Sequence, residues 1–207
     1  LGNRKSMKIA IVFGTRPEII KLYPVIRELK KGHKVKIVHT GQHNELASQM
    51  LMSFGIKCDF KLKVMTKNQS LSSLSIKVHE KLKELFDKEK FNLVVIQGDT
   101  TSAMIMALEA YYHKIPVAHI EAGLRTNNIY APFPEEINRR IITQISSYNF
   151  SPTLTAKAWC DLQGWGKNYK VGQTGIDTLL EFSRKIKVKK QKKILITLHR
   201  RENYDKF

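Results

Sequence analysis

The sequence has few of the residues that mark disulfide-rich, metal-binding or membrane-spanning proteins. Its 207 residues contain two cysteines, Cys58 and Cys160, which provide neither a disulfide framework nor the spacing of a metal site. None of the seven histidines has a cysteine at ligand spacing, so we predict no metal. No apolar run approaches the ~20 residues that a membrane-spanning helix needs. We therefore expect a globular protein that acts in the cytoplasm and has no membrane partner.

Acidic residues are scarce beside basic ones. The chain has 18 Asp and Glu residues against 36 Lys and Arg, which gives a formal net charge of +18. Such an excess suits a nucleic acid, a membrane surface or an anionic small molecule as a partner. Seven of the ten residues from 184 to 193 are Lys or Arg. No nucleic-acid-binding motif accompanies them, so we interpret the charge as a solvated basic surface and disfavour nucleic-acid binding.

Apolar runs alternate with helical patterns along the whole chain. The predicted strands are 8–13, 35–39, 93–97, 117–121, 148–150, 170–171 and 194–198. The predicted helices are 17–30, 45–54, 71–88, 102–113, 134–147, 154–162 and 177–185. Strands separated by helices indicate βαβ units, so the predicted fold class is α/β with a doubly wound, Rossmann-like parallel sheet.

The pattern divides the chain into one large domain and the start of another. We place a Rossmann-like N-terminal domain over 7–175, and a helix with a basic interdomain connection over 176–193. Residues 194–207 would then form the first strand and turn of a second domain. Nine residues follow Leu198, too few for a complete βαβ unit, so we expect a chain that stops just inside that domain.

The turn after the first predicted strand is the most informative segment of the sequence. The apolar run 9–13 is typical of a buried parallel strand, and Thr15 with Glu18 has the spacing of a helix capping box. Arg16 lies between them, at the carboxyl end of a strand and the positive end of a helix, with Lys21 one turn later. Ligands of open α/β sheets bind at this edge, so Arg16 is placed to meet a phosphate.

Carboxylates follow other strands of the same predicted sheet. Asp99 and Glu121 follow two successive predicted strands, and Glu135 opens the next helix. Each has a structural alternative, since Asp99 could cap a helix and Glu135 could simply favour the positive helix end. Together at one sheet edge they predict general acid–base chemistry. His199 follows the last predicted strand, where the second sheet would face the first.

The chain resembles the non-hydrolysing UDP-N-acetylglucosamine 2-epimerases. Six segments match in the family's order: 14–21, 98–101, 119–126, 134–139, 150–153 and 199–203. The resemblance implies that the catalytic residues are Asp99, Glu121, Glu135 and His199. It implies that the substrate-binding residues are Arg16, Lys21, Arg125, Arg139 and His199.

The resemblance also implies a fold and a reaction. The fold would be two doubly wound domains, as in GT-B glycosyltransferases, with a UDP-sugar bound between them. The reaction would interconvert UDP-N-acetylglucosamine and UDP-N-acetylmannosamine for polysaccharide synthesis, by elimination of UDP to 2-acetamidoglucal and its re-addition. It needs a base and an acid near C2, and the residues leave open which of Asp99, Glu121 and Glu135 takes each role. No cofactor is implied.

The same resemblance implies partners and a second ligand site. Family members from bacteria bind a second UDP-N-acetylglucosamine as an activator, and Gln42 and Gln69 stand where its glutamines would be, although Asn68 replaces an arginine of several relatives. A missing C-terminal domain would supply most uridine contacts, so we expect little activity from this chain alone. We expect a homodimer when the protein is complete. The alternatives are an inactive UDP-sugar-binding module and a GT-B glycosyltransferase fragment.

Overall fold

The computed structural model describes residues 5–41, 44–66, 69–184 and 194. Strands β1 to β7 span, in order, Lys8–Phe13, Lys34–His39, Phe60–Lys61, Leu93–Gln97, Val117–Ile120, Tyr148–Ser151 and Lys167–Lys170. Helices α1 to α7 span Arg16–Leu29, Asn44–Ser53, Leu71–Lys88, Thr101–Tyr112, Glu135–Ile145, Leu154–Gln163 and Thr174–Ser183. No helix within these residues is long and apolar enough to cross a membrane.

The strands pair in parallel in a single sheet. Their order is β3-β2-β1-β4-β5-β6-β7, so the chain winds outwards from β1 in one direction and then in the other. Right-handed crossovers then place helices on both faces and gather the carboxyl ends of all strands at one edge. The expected doubly wound, Rossmann-like α/β fold is confirmed.

The interior strand β1 is buried on both sides. Ile9, Ile11 and Phe13 pack with α1 and α2 on one face, whereas Ala10 and Val12 pack with α3 and α4 on the other. Successive residues of a strand point to opposite faces, so a strand covered on both faces needs apolar residues throughout. This explains why β1 reads as a continuous apolar run.

The prediction fails at the edges of the sheet. The two-residue strand β3 is absent from the predicted strands, because two residues carry no periodic pattern. β7 begins three residues before the predicted strand 170–171, since its polar and mostly exposed residues lack the apolar run of an interior strand. α7 likewise begins at Thr174, three residues earlier than predicted. Edge elements bury little, and their sequences are correspondingly weak signals.

Helix α7 packs along α1. The Thr178 hydroxyl donates a hydrogen bond to the Ile20 carbonyl of α1 at 2.7 Å. The first part of the predicted connection 176–193 therefore packs against the Rossmann-like domain. The predicted strand 194–198 lies outside the described residues except for Ile194, and the three domain boundaries stay predictions.

An apolar groove of about 700 Å³ runs along the α1 face of the sheet. Side chains of β4, β5 and β6 line it, among them Val95, Ile120 and Phe150. None of the predicted site residues that the structure describes lies in its wall. The candidate site is therefore defined by the polar groups at the carboxyl ends of the strands.

Candidate active site

The turn between β1 and α1 is organised around the buried carboxylate of Glu18. Its Oε2 accepts hydrogen bonds from the Gly14 and Thr15 backbone N–H groups at 2.7 and 2.6 Å, and its Oε1 accepts from the Thr100 hydroxyl at 2.9 Å. The predicted capping box is confirmed. Burial raises the pKa of Glu18, and the four hydrogen bonds it receives work against that rise. Arg16 is exposed at the first position of α1.

Thr100 joins the first turn to the turn after β4, so its substitution tests that junction. Its hydroxyl also caps α4 by accepting from the Ala103 N–H at 3.1 Å. We expect Thr100→Val to lower the free energy of unfolding by about 2–3 kcal/mol, because it removes a cap and a hydrogen bond to a buried carboxylate. Thr153→Val is the matched control, since Thr153 caps α6 at the same 3.1 Å distance and should cost about 1 kcal/mol. If urea unfolding showed the same loss of stability in Thr100→Val and Thr153→Val, the hydrogen bond from Thr100 to Glu18 would not contribute as we expect.

Asp99 does not cap the following helix. Thr100 takes the N-cap position of α4, which removes the structural alternative for Asp99. The Asp99 carboxylate pairs with Arg139 at 2.6 Å. Burial raises the pKa of Asp99, Arg139 opposes the rise, and Glu135 and Glu121 add to it. A carboxyl group that resists ionisation beside two further carboxylates is suited to carry a proton.

Glu121 has partners from several parts of the fold. Lys21 of α1 pairs with its Oε2 at 2.5 Å, the Gln97 amide donates to the same oxygen, and Gln173 donates to Oε1 at 2.6 Å. Its φ is 68°, a left-handed conformation that is uncommon outside glycine and often found at functional sites. Sequence reasoning missed Gln97 and Gln173. A polar last residue in the apolar strand β4 was a signal for Gln97, but Gln173 had none.

Helix α5 supplies charged groups from its first two turns. Glu135 and Arg139 lie on it as predicted, and Glu136 between them is fully buried. Burial works against the charge of Glu136, but hydrogen bonds from Arg140 and Thr126 outweigh it and hold the pKa of Glu136 below its usual range. Sequence reasoning missed this carboxylate. It anchors the segment before α5 and pairs with the two arginines that follow it.

Arg125 is directed away from the three carboxylates. Its guanidinium donates to Gln163 at 2.9 Å, to the Leu124 carbonyl at 2.8 Å and to the Thr143 hydroxyl at 3.1 Å. These partners belong to α5, α6 and the turn after β5. The structure therefore gives Arg125 a packing role, and substrate binding by it stays a prediction.

The remaining predicted residues are only partly covered by the structure. His199 and Gln42 lie outside the described residues, as does Asn68. Gln69 accepts a hydrogen bond from the Thr66 N–H at 3.0 Å, and its buried amide nitrogen has no partner within the described residues. The second ligand site stays a prediction.

Five of the predicted site residues thus meet at one edge of the sheet. Asp99, Glu121 and Glu135 lie beside Lys21 and Arg139, which is an arrangement for proton transfer next to an anionic ligand. No group of His, Cys, Asp and Glu in the described ranges could hold a metal ion. Fold and site together define a Rossmann-like α/β protein with a cluster of carboxylates and cations at the carboxyl ends of its strands.

Comparison with known proteins identifies the family. A family model described as UDP-N-acetylglucosamine 2-epimerase matches residues 27–207, so the chain belongs to the UDP-N-acetylglucosamine 2-epimerase family. It is 42% identical to the UDP-N-acetylglucosamine 2-epimerase of Neisseria meningitidis serogroup A, over 96% of this chain and 58% of that protein. The Bacillus subtilis enzyme is 41% identical, over 96% of this chain and 55% of the relative. The chain spans little more than half the length of these curated relatives.

Solved structures agree with this assignment. The Neisseria meningitidis UDP-GlcNAc 2-epimerase bound to UDP-GlcNAc superposes with a TM-score of 0.81 at 41% identity, over 86% of this chain and 49% of that one. The Methanocaldococcus jannaschii enzyme in complex with UDP-GlcNAc and UDP gives a TM-score of 0.76 at 36% identity, over 84% and 49%. The resemblance seen in the sequence is confirmed, and the match is to one half of these proteins.

Proposed function

We propose that this chain is the N-terminal half of a non-hydrolysing UDP-N-acetylglucosamine 2-epimerase that acts in the cytoplasm. The observation that carries the proposal is the cluster of Asp99, Glu121 and Glu135 beside Lys21 and Arg139 at the carboxyl edge of the sheet. A second, C-terminal domain completes the cleft, and the complete protein is a homodimer. The ligand is UDP-N-acetylglucosamine, which is bound in structures of the Neisseria meningitidis and Methanocaldococcus jannaschii relatives.

The reaction needs proton transfer at C2 of the sugar. One carboxylate takes the C2 proton, the C–H electron pair becomes the C1=C2 bond of 2-acetamidoglucal, and the C1–O pair leaves with UDP. Re-addition of UDP with a proton delivered to the other face of C2 gives the epimer. Asp99 suits a step in which a carboxyl group carries a proton, because burial raises its pKa. Glu121, paired with Lys21, is the other carboxylate best placed for the exchange.

The departing diphosphate needs cations. Arg16 at the N-terminus of α1 combines its own charge with the positive end of the helix dipole, which is a favourable place for a phosphate. His199 would face it from the second domain. Arg125 and Arg139 complete the proposed substrate-binding set.

Ligand binding by the purified chain tests the anion site. We expect UDP to raise the melting temperature, and Arg16→Ala to weaken UDP binding by roughly tenfold or more, because a charge-assisted hydrogen bond is lost. Lys90→Ala is the control, since Lys90 is an exposed cation before β4, at the opposite edge of the sheet. An affinity that is the same in wild type and Arg16→Ala would show that Arg16 is wrongly placed.

Epimerisation tests the reaction itself. The chain is assayed alone and with the C-terminal half of the Neisseria meningitidis relative added in trans, with solvent deuterium at C2 as the readout. We expect turnover only with both halves, and a loss of about 10²–10⁴-fold in Asp99→Asn and in Glu121→Gln. Glu84→Gln, on an exposed face of α3, serves as control. UDP binding without any turnover would point to an inactive binding module.

A further inference from the structure

Both oxygens of the Glu121 carboxylate are held, each by different elements of the fold. Oε2 accepts from Lys21 of α1 and from Gln97 at the end of β4. Oε1 accepts from Gln173, which directly precedes α7. An ionised carboxylate offers about four acceptor positions, so these three donors leave one for a substrate atom.

Gln173 stands where a helix is ordinarily capped, but its side chain does something else. It is the N-cap residue of α7, and within the described residues its side chain makes no capping hydrogen bond. Ser, Thr, Asp and Asn are the usual residues at this position, because their short side chains reach back to the helix N–H groups. The longer Gln173 side chain instead crosses to Glu121, 52 residues away in sequence.

The position of Gln173 is set by the packing of α7 on α1. Thr178 anchors α7 to the Ile20 carbonyl, and Gly175 lies against the Lys21 side chain, where a Cβ would come within 3.5 Å of Lys21 Cγ. The two helices therefore fix Lys21 and Gln173 relative to each other. Because Lys21 and Gln173 each donate a hydrogen bond to Glu121, their positions together set the orientation of its carboxylate.

We propose that Gln173 is a positioning residue, which orients the Glu121 carboxylate for proton transfer. Through Gln173, the orientation of this carboxylate depends on the packing of α7 against α1. The inference rests on the proposed function, because it assumes that Glu121 exchanges a proton with the substrate. The left-handed backbone at Glu121 sets where the side chain starts, and the donors on its two oxygens set how the carboxylate is turned. Gln97, at the end of β4, likewise helps to orient the carboxylate by donating a hydrogen bond to its Oε2.

Crystal structures of three forms of the 207-residue chain test the positioning role without any assay of activity. Gln173→Met keeps the side-chain volume and removes the donor. We expect the Glu121 carboxylate to rotate or to occupy two orientations in Gln173→Met. Ser183→Ala is the control, since it also removes one side-chain hydrogen bond of α7, the exposed bond from the Ser183 hydroxyl to the Leu180 carbonyl, and should leave the Glu121 carboxylate as in wild type. An unmoved Glu121 in Gln173→Met would overturn the inference.

Kinetics of the two-half enzyme provide the second readout. A misplaced carboxylate should lower kcat by about 10–100-fold in Gln173→Met with little change in KM, while Ser183→Ala keeps the wild-type kcat. Gln173→Glu, an isostere that repels Glu121, should lose more. If wild type does not epimerise, the proposed function fails, and the crystal structures still decide the role of Gln173. Wild-type kcat in Gln173→Met would contradict the role even if the enzyme is an epimerase.

Discussion

Gly123→Ala is expected to lower the free energy of unfolding by about 3–5 kcal/mol, which for a protein of this size is a fall of about 10 °C in melting temperature. A Cβ at Gly123 would lie 1.9 Å from the Ala156 carbonyl oxygen and 2.9 Å from Cys160 Sγ, both in α6. The residue also has a φ of 85°, which L-residues rarely adopt. Backbone strain and overlap with a rigid helix act together there.

Two further glycine substitutions separate the causes. Gly55 has a φ of 63° and nothing within 4 Å of an added Cβ, so Gly55→Ala should show the strain alone, about 1–2 kcal/mol. Gly32 has neither feature, and Gly32→Ala should be neutral or stabilise by up to about 1 kcal/mol. Urea unfolding of all three variants gives the comparison. If Gly123→Ala lowered the free energy of unfolding no more than Gly55→Ala does, that result would contradict the close packing of the Gly123 turn against α6.

The Gly123 substitution has a functional consequence because Glu121 lies two residues earlier. A turn pushed away from α6 moves the backbone that carries Glu121. We therefore expect Gly123→Ala to weaken catalysis in the two-half assay as well as stability, whereas Gly55→Ala should affect stability alone. Close approach of this turn to α6 is how the fold holds the carboxylate in place.

The stability of the wild-type chain is expected to fall by about 3 kcal/mol between about pH 6.5 and about pH 4 through one buried histidine, His119. His119 in β5 is fully buried, and its Nε2 lies 2.7 Å from the Gly98 carbonyl oxygen, to which it donates. Its Nδ1 has no partner within the described residues. Burial lowers the pKa of His119 from 6.5 to about 4, because the interior disfavours the charged ring.

The sign of the effect follows from the direction of that shift. The unfolded chain takes up the proton near pH 6.5 and the folded chain only near pH 4, so the contribution of His119 is complete above pH 6.5. It is lost as the pH falls from there towards 4. We expect His119→Gln, which can still donate to the Gly98 carbonyl, to lack this part of the pH dependence.

Chemical unfolding of both proteins across this pH range measures the difference. His33→Gln is the control, since His33 is only partly buried near the N-terminal end of β1 and should leave the wild-type dependence in place. Identical pH dependence in wild type and His119→Gln would show that another group carries the acid sensitivity. Gly98 directly precedes Asp99, so the same hydrogen bond also steadies the turn that carries a proposed catalytic group.

Asp99 and Glu121 illustrate how far a site can be predicted from a sequence. Both end apolar strands, and the carboxyl ends of neighbouring parallel strands lie at one edge, so their proximity followed from topology. Gln173 could not be found in the same way, because it follows the weakly patterned edge strand β7. Arg125, by contrast, could be found from the sequence, but its contacts could not be predicted from it. Its motif is intact, but the direction of its side chain depends on packing between α5 and α6.

Local sequence patterns were enough to predict the parallel α/β fold, the capping box before α1 and, through six short motifs, the family to which the chain belongs. Those features are local, since hydrophobic periodicity and capping act over a few residues. The partners of each charged group depend on tertiary structure, because the contacts join distant parts of the chain. Lys21 and Glu121, for example, are 100 residues apart in sequence and meet only because α1 and β5 reach the same edge of the sheet.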